Sequence, residues 1–237
     1  MAAEAPELWI IAGANGSGKS TAYEEASVDV PMGSIWIINP DELSKRIAAH
    51  EGLRLNPEAN IQAVTRIEAW LYASIATHQT VGVETVLATG KYRALVERAH
   101  AQGFRIRLIY VFLQSADLNV ERVRLRVRKG GHDVAEASVR DRRRRSFEQL
   151  GWFFGPADQA EIYDNSGAEP KLIVTKSDGD LTIYGPLIPE LGAALETAMP
   201  GLSAILAAEG RAGGKDASPR KRRRRRGRRR RAGAPPS

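Results

Sequence analysis

The first residues that could do chemistry form a glycine-rich loop at positions 13–20, with the sequence GANGSGKS. The loop matches the G-x-x-x-x-G-K-[ST] pattern of phosphate-binding loops. Its glycines let backbone N–H groups approach phosphate oxygens, and a helix that begins there adds the positive end of its dipole. Lys19 would place a charge on the β- and γ-phosphates, and the Ser20 hydroxyl would ligate Mg²⁺.

The loop follows an apolar run and opens a helical pattern, which favours a phosphate site over an ordinary glycine-rich turn. It predicts a nucleotide ligand but no particular reaction, because NTPases and kinases both use it. ATP and Mg²⁺ are therefore the expected cofactors. The residues predicted to bind them are Gly13, Ala14, Asn15, Gly16, Ser17, Gly18, Lys19, Ser20 and Thr21, with Ser20 on the metal.

Carboxylates follow the next two predicted strands. Asp41, in the sequence NPDE at 39–42, is placed either to cap a helix or to accept the proton of an attacking hydroxyl. Glu84 and Thr85 follow the third strand. They are either a structural polar pair at a strand end or hydrogen-bonding partners for substrate hydroxyls. A further alternative is that Glu84 is a second carboxylate near the metal.

An arginine-rich segment at about 122–146 surrounds the glycine pair at 130–131. A glycine pair between helices is typical of a lid over a nucleotide, and lid arginines stabilise charge on the transferred phosphoryl group. An exposed basic helix hairpin is the alternative. His132 is either a base or ligand, or a turn residue. The arginines are Arg122, Arg126, Arg140, Arg142, Arg143, Arg144 and Arg145.

Strands and helices alternate along the chain, which predicts an α/β fold with a mostly parallel sheet covered on both faces. Ligands of such sheets bind beyond the carboxyl ends of the strands, where these motifs lie. The predicted strands are 8–12, 34–38, 81–86, 105–113, 162–163, 172–175 and 181–184. The predicted helices run from the loop to about 26, then over 41–50, 57–78, 92–102, 117–128, 136–150 and 189–208. Glycines are expected to end several of them, among them Gly151.

The charge of the chain is uneven. The total is +7, but the segment from residue 211 carries +12, so the remainder carries −5. This excludes the argument that the folded part binds nucleic acid because it is basic. We predict one domain over 1–209 and a disordered Arg-rich tail over 210–237. The tail either binds polyanions without sequence preference or is a solvated end.

The chain contains no cysteine, which excludes disulfides, thiolate metal sites and cysteine nucleophiles. No apolar stretch approaches the length needed to span a bilayer, so no membrane association is expected. The N-terminus lacks the pattern of a signal peptide. A cytoplasmic location is the resulting expectation.

Taken together, these motifs resemble the zeta toxin family of P-loop kinases. The resemblance spans about 8–175, and its NPDE and GGH motifs are more specific than the loop. The matching segments are AGANGSGKST at 12–21, NPDE at 39–42, ET at 84–85, RVRLRVRKGGHDV at 122–134 and YDNSG at 163–167. The resemblance implies a three-layer P-loop kinase-like fold with a helical lid. It also implies phosphorylation of a hydroxyl on a sugar nucleotide such as UDP-N-acetylglucosamine, or on a related metabolite.

Site roles follow from the same resemblance. Lys19 would bind the nucleotide, Asp41 would be the general base, and Glu84 with Thr85 would contact the acceptor. Arg126 and Arg140 would neutralise charge from the lid. An antitoxin-like protein is an implied partner. Two other functions stay open: a nucleic-acid-end kinase or RNA-associated NTPase that uses the tail, and a binding protein whose site is catalytically dead.

Overall fold

The computed structural model describes residues 5–20, 36–38, 43, 57–131 and 133–205. The chain divides into two units, 1–202 and 203–237, and of the second only 203–205 are described, as helical residues. The strands are β1 Glu7–Ala12, β2 Trp36–Ile38, β3 Val81–Thr85, β4 Arg105–Phe112, β5 Gln159–Asp164, β6 Lys171–Ser177 and β7 Asp180–Ile183. The helices are α1 Pro57–Ala76, α2 Arg93–Ala101, α3 Ala116–Arg128, α4 Glu136–Phe154 and α5 Pro189–Ala198.

The strands form one sheet in the order β2-β3-β1-β4-β5-β6-β7. The first five in that order are parallel, and the sheet is extended by β6, which is antiparallel to β5, and by β7, which is antiparallel to β6. The sheet is therefore mostly parallel, as predicted. Since β1 lies between β3 and β4, the order reverses at the end of β1, where open α/β sheets bind their ligands.

Alternation along the strands covers the sheet on both faces. In β4, Tyr110 lies on the face covered by α4, where its ring meets Phe147 edge-on and its hydroxyl lies 3.0 Å from that of Ser146. Its neighbours Ile109 and Val111 pack on the opposite face, with residues of β1. The central strands are thereby fixed, and with them the loop that leaves β1.

Two helix ends differ from the prediction. Gly151 does not end α4, which continues to Phe154. The glycine has a packing role instead, because its missing side chain allows α5 to approach closely. A Cβ at Gly151 would lie 3.0 Å from the Ala194 carbonyl oxygen. The last predicted helix is interrupted, because α5 ends at Ala198 and Gly201 follows with φ of +92°.

Several predictions fall outside the described residues. These are residues 21 to about 26 of the first helix, the first part of the strand at 34–38, the helix at 41–50 apart from residue 43, and the tail at 210–237. Thr21, Asp41 and His132 also lie outside the described residues. Among the described helices, none combines the length and apolar character needed to cross a membrane.

Candidate phosphate-binding site

The glycine-rich loop leaves the carboxyl end of β1 and becomes helical at Lys19. Gly13, Gly16 and Gly18 have φ of +148°, +77° and +84°, a region that favours glycine. Space imposes the same requirement. A Cβ at Gly13 would lie 2.1 Å from the carbonyl oxygen of Val111, and one at Gly18 would lie 2.3 Å from the Asn165 amide nitrogen. The loop backbone is thus free to turn its amides toward an anion.

Lys19 is buried and its ammonium group is curled into the loop. Nζ donates to the carbonyl oxygens of Gly13 at 2.8 Å and Ala14 at 3.4 Å, and lies 3.9 Å from Glu84 Oε1. An ammonium group held beside the backbone amides gives the loop a fixed positive charge. Phosphate oxygens are the ligands that suit this combination.

Glu84 lies beside Ser20, with its carboxylate buried at the end of β3. The Ser20 hydroxyl donates to Glu84 Oε2 at 3.1 Å. This contact favours the alternative in which Glu84 stands near the metal. Both groups offer the oxygen ligands that Mg²⁺ prefers. Over the described ranges no three His, Cys, Asp or Glu side chains gather into a metal cluster. A Mg²⁺ ion would therefore complete its shell with phosphate oxygens and water.

A buried hydroxyl also fits a phosphate ligand. Ser17 Oγ is inaccessible to solvent and has no hydrogen-bonding partner within the described part of the chain. Buried hydroxyls are normally paired, and unpaired ones concentrate at functional sites. The loop residues therefore fit the nucleotide that the sequence predicts.

Thr85 is occupied by the turn that follows β3. Its hydroxyl accepts a hydrogen bond from the Leu87 N–H at 3.0 Å, and its carbonyl oxygen accepts one from the Gly13 N–H at 3.2 Å. Leu87 is buried with φ of +56°, an uncommon conformation for leucine that clusters at functional sites. The turn joins the ends of β1 and β3. An acceptor contact by Glu84 or Thr85 stays a prediction.

Two asparagines that the sequence did not mark as loop contacts hold the outside of the loop. Asn119 Nδ2 of α3 donates to the Asn15 carbonyl oxygen at 2.8 Å. Asn165 Nδ2, after β5, donates to the Ser17 carbonyl oxygen at 2.9 Å. Asn165 belongs to the YDNSG segment, so its motif was a usable signal. Asn119 carries no motif signal.

The arginines divide between the loop and the outer surface. Arg122 Nη2 donates to the Asn165 carbonyl oxygen at 2.7 Å, and Arg142 Nη1 to Asn15 Oδ1 at 3.4 Å. Arg140 instead donates to Asp117 at 2.6 Å and to Glu136. Its hydrogen bond holds the pKa of the Glu136 carboxyl below the usual range.

Arg126 lies near the end of α3, where its carbonyl oxygen accepts a bond from the Gly131 N–H at 3.0 Å. Thus the structure brings Lys19, Ser20 and Glu84 together, with Arg142 on the loop and Arg122 on Asn165. The charge-neutralising roles of Arg126 and Arg140 stay predictions, as does the role of Asp41.

The fold and the loop define the class as an α/β protein with a P-loop at the switch point of its sheet. Residues 8–150, more than half of the chain, match the sequence profile of a family described as AAA domain. The chain belongs to that family. It is also 26% identical, over 149 residues, to an uncharacterized protein of Haemophilus influenzae. The aligned residues make up 57% of this chain and 96% of that protein.

Two solved structures share the fold. One comes from the PezAT chromosomal toxin–antitoxin system of Streptococcus pneumoniae, with a TM-score of 0.55, 13% identity, and coverage of 87% of this chain and 89% of that one. The other is the AvrRxo1-ORF1:AvrRxo1-ORF2 complex with ATP, with a TM-score of 0.54, 12% identity, and coverage of 82% and 64%. These likenesses confirm the zeta-toxin-like, P-loop kinase-like fold that the sequence predicts.

Proposed function

We propose that the protein is an ATP-dependent phosphotransferase that moves the γ-phosphoryl group of ATP onto a hydroxyl of a small molecule. The observation that carries the proposal is the arrangement of Lys19, Ser20 and Glu84 at the start of a helix. The ammonium group and the hydroxyl of the loop meet the buried carboxylate of Glu84 at the end of β3. The related fold of the AvrRxo1 complex solved with ATP supports the choice of nucleotide.

The chain would supply positioning and charge. Backbone amides of the loop and Lys19 would bind the β- and γ-phosphates, and Ser20 with Glu84 would hold Mg²⁺. The metal, when bound, neutralises charge on the phosphates. The substrate hydroxyl oxygen forms a bond to the γ-phosphorus as the bond to the β,γ-bridging oxygen breaks. ADP leaves, and the hydroxyl proton passes to the Asp41 carboxylate.

The acceptor is proposed from the resemblance to zeta toxins. A sugar nucleotide like UDP-N-acetylglucosamine, or a related metabolite, would lie beside Asp41 and contact Glu84 and Thr85. Arg126 and Arg140 would be the arginines that neutralise the transferred group, Arg140 on release from its carboxylates. The toxin–antitoxin origin of the PezAT structure supports a proposed antitoxin-like protein partner.

The proposal is tested by incubating the full chain with ATP, Mg²⁺ and UDP-N-acetylglucosamine, and in parallel with a metabolite extract. Mass spectrometry should show a new phosphorylated species and an equal amount of ADP. Lys19→Ala and Asp41→Asn should each remove the product, whereas Arg124→Ala, a change on the outer surface of α3, should not. ADP production without any phosphorylated acceptor would contradict a phosphotransferase.

The Arg-rich tail favours one competing function. With 12 positive charges in excess, residues 211–237 could hold a nucleic acid by counterion release. A 5′-hydroxyl oligonucleotide phosphorylated by the full chain, but not by residues 1–210, would support a nucleic-acid-end kinase. Unchanged sugar-nucleotide turnover after removal of the tail would support the small-molecule kinase.

A further inference from the structure

The outer side of the phosphate loop is held by two side-chain amides from different parts of the fold. Asn119 comes from α3, and Asn165 from the segment after β5. Each donates Nδ2 to a loop carbonyl oxygen, that of Asn15 at 2.8 Å and that of Ser17 at 2.9 Å. Both asparagines are buried, as are both acceptors. The two contacts therefore lie on alternate peptide groups of the loop.

The geometry of the peptide bond makes these contacts relevant to phosphate binding. In a trans peptide, C=O and N–H point in opposite directions. A carbonyl group held outward by Asn119 turns the N–H of Gly16 the other way. In the same manner, Asn165 turns the N–H of Gly18. Successive amides that converge in a glycine-rich loop form an anion site.

The choice of asparagine at position 119 is hard to explain by packing. The side chain is 1% exposed, and its Oδ1 is buried without a hydrogen-bonding partner among the described residues. An unpaired buried oxygen is unfavourable, and an apolar side chain of similar shape would avoid it. The hydrogen bond to Asn15 is what the amide adds.

Asn165 is itself held in place from two directions. Its N–H donates to the Phe112 carbonyl oxygen at the end of β4, at 2.9 Å. Its carbonyl oxygen accepts from Arg122 Nη2 at 2.7 Å. A Cβ at Gly18 would lie 2.3 Å from Asn165 Nδ2, so this nitrogen fills the space that a side chain at position 18 would need. The sheet and α3 thus fix the position of this amide.

We propose that Asn119 and Asn165 are positioning residues that hold the loop in its phosphate-binding form before a nucleotide arrives. The proposal rests on the proposed function insofar as that function requires phosphate binding by this loop. It does not depend on the identity of the acceptor or on the chemical step. Neither asparagine is expected to touch the reacting atoms.

The test compares donorless variants by calorimetric titration with ADP and, separately, with inorganic pyrophosphate, both with Mg²⁺. Asn119→Leu and Asn165→Leu keep the approximate volume but remove the donor, and Asn119→Ala and Asn165→Ala remove the volume as well. We expect each variant to bind both probes roughly tenfold to a hundredfold more weakly, as for a buried acceptor left unpaired. A space-filling role would instead let the leucine variants bind like wild type.

Gln114→Ala is the matched control, because Gln114 donates its side-chain amide to Asp164 Oδ2, next to Asn165 in the chain, and not to a carbonyl oxygen of the loop. It should bind within twofold of wild type. Hydrogen–deuterium exchange of the nucleotide-free chains gives a second measurement, in which the donorless variants should exchange faster over 13–20. Measurements are made where each variant is folded, as judged by its melting curve.

The outcomes separate the two proposals. Wild type that binds ADP without phosphorylating any acceptor contradicts the proposed reaction and leaves the positioning role supported if the variants weaken binding. Variants that bind and exchange like wild type overturn the positioning role, whatever the reaction. Failure of every variant at both positions to fold would also overturn it, because the asparagines would then be general folding residues.

Discussion

The two sides of the α3–α4 helix pair carry the same residue type in different environments. The inner arginines donate to the phosphate loop, to the end of β4 or to Asn165 after β5, and the outer arginines pair with carboxylates on the exposed surface. The inner arginines are Arg122, Arg142 and Arg143. The outer arginines are Arg124, Arg140, Arg144 and Arg145. Position within an arginine-rich run therefore does not define the role of an arginine.

The difference is visible in the spacing of acidic residues. Arg140 and Arg144 each pair with an acid three or four positions away, Glu136 and Asp141. Arg124 also has an acid at this spacing in the sequence, but it pairs with Glu136 of α4. Such neighbours meet on a helix surface. None of the inner arginines has an acid at these spacings.

The largest expected effect is on stability, at the buried inner arginine. Arg143 donates to the Leu113 carbonyl oxygen at 3.0 Å and to Glu190 at 2.6 Å, tying α4 to the end of β4 and to α5. Arg143→Ala should lower the free energy of unfolding by about 2–3 kcal/mol, because a buried carbonyl group loses its donor and a cavity remains. Urea unfolding measures it, with Arg144→Ala as the adjacent control. A loss of unfolding free energy below about 1 kcal/mol for Arg143→Ala would contradict the distinction between inner and outer arginines.

Arg122→Ala should have the next largest effect, on nucleotide affinity. The change removes the charged donor to Asn165 and a positive charge that lies close to Gly18. Calorimetric titration with ADP should show binding weakened by roughly tenfold to fiftyfold. Arg124→Ala on the same helix is the control and should bind within twofold of wild type. Equal ADP affinities for both variants would contradict a role of the inner arginines in nucleotide binding.

Arg142→Ala should weaken ADP binding less, by about threefold to tenfold. Its contact with Asn15 Oδ1 is long, at 3.4 Å, and Asn119 also holds Asn15, through the main chain. Titration of Arg142→Lys beside it tests whether charge alone is sufficient. If Arg142→Ala binds ADP as wild type does, the contact has no energetic role.

Much of the fold could be predicted because local patterns determine it. Apolar runs followed by glycine indicated β1 and its loop, and the strand–helix alternation indicated the parallel sheet. The antiparallel directions of β6 and β7 could not be predicted. Short strands with brief connections can join either edge of a sheet, and their order along the chain does not fix how they pair. Gly151 was wrongly predicted to end a helix, because its contact with α5 depends on packing between distant segments.

The candidate site shows the same limit. Lys19 and Ser20 could be predicted from one motif because their roles depend on the adjacent backbone. Asn119 could not, since a single amide on a helix has no periodicity and its partner Asn15 lies 104 positions away. The position of Glu84 beside Ser20 depends on the register of β1 with β3. Sequence order leaves that register open.

The inner ion pair of Arg143 and Glu190 predicts a pH dependence of stability. Burial favours a higher pKa for Glu190, but the bond from Arg143, a backbone bond and the positive charge hold its pKa below the usual range. A lowered folded-state pKa gives stability that is present at neutral pH and lost as pH falls through that pKa. Glu190→Gln should therefore lower the free energy of unfolding at pH 7, by less than about 1 kcal/mol because Glu190 is partly solvated. Urea unfolding should show the difference from wild type vanishing in acid, and a difference that grows in acid would contradict this sign.

The smallest effect is expected at an outer arginine. Arg144 pairs with Asp141 at 2.9 Å and with Glu148, and its side chain is 62% exposed. Exposed pairs at helical spacing contribute little, because water screens them and ordering long side chains is unfavourable. Arg144→Ala should change the free energy of unfolding by less than about 0.5 kcal/mol and leave ADP affinity within twofold. A larger loss of affinity would show that the outer surface also contributes to nucleotide binding, and the contrast between the two sides would then fail.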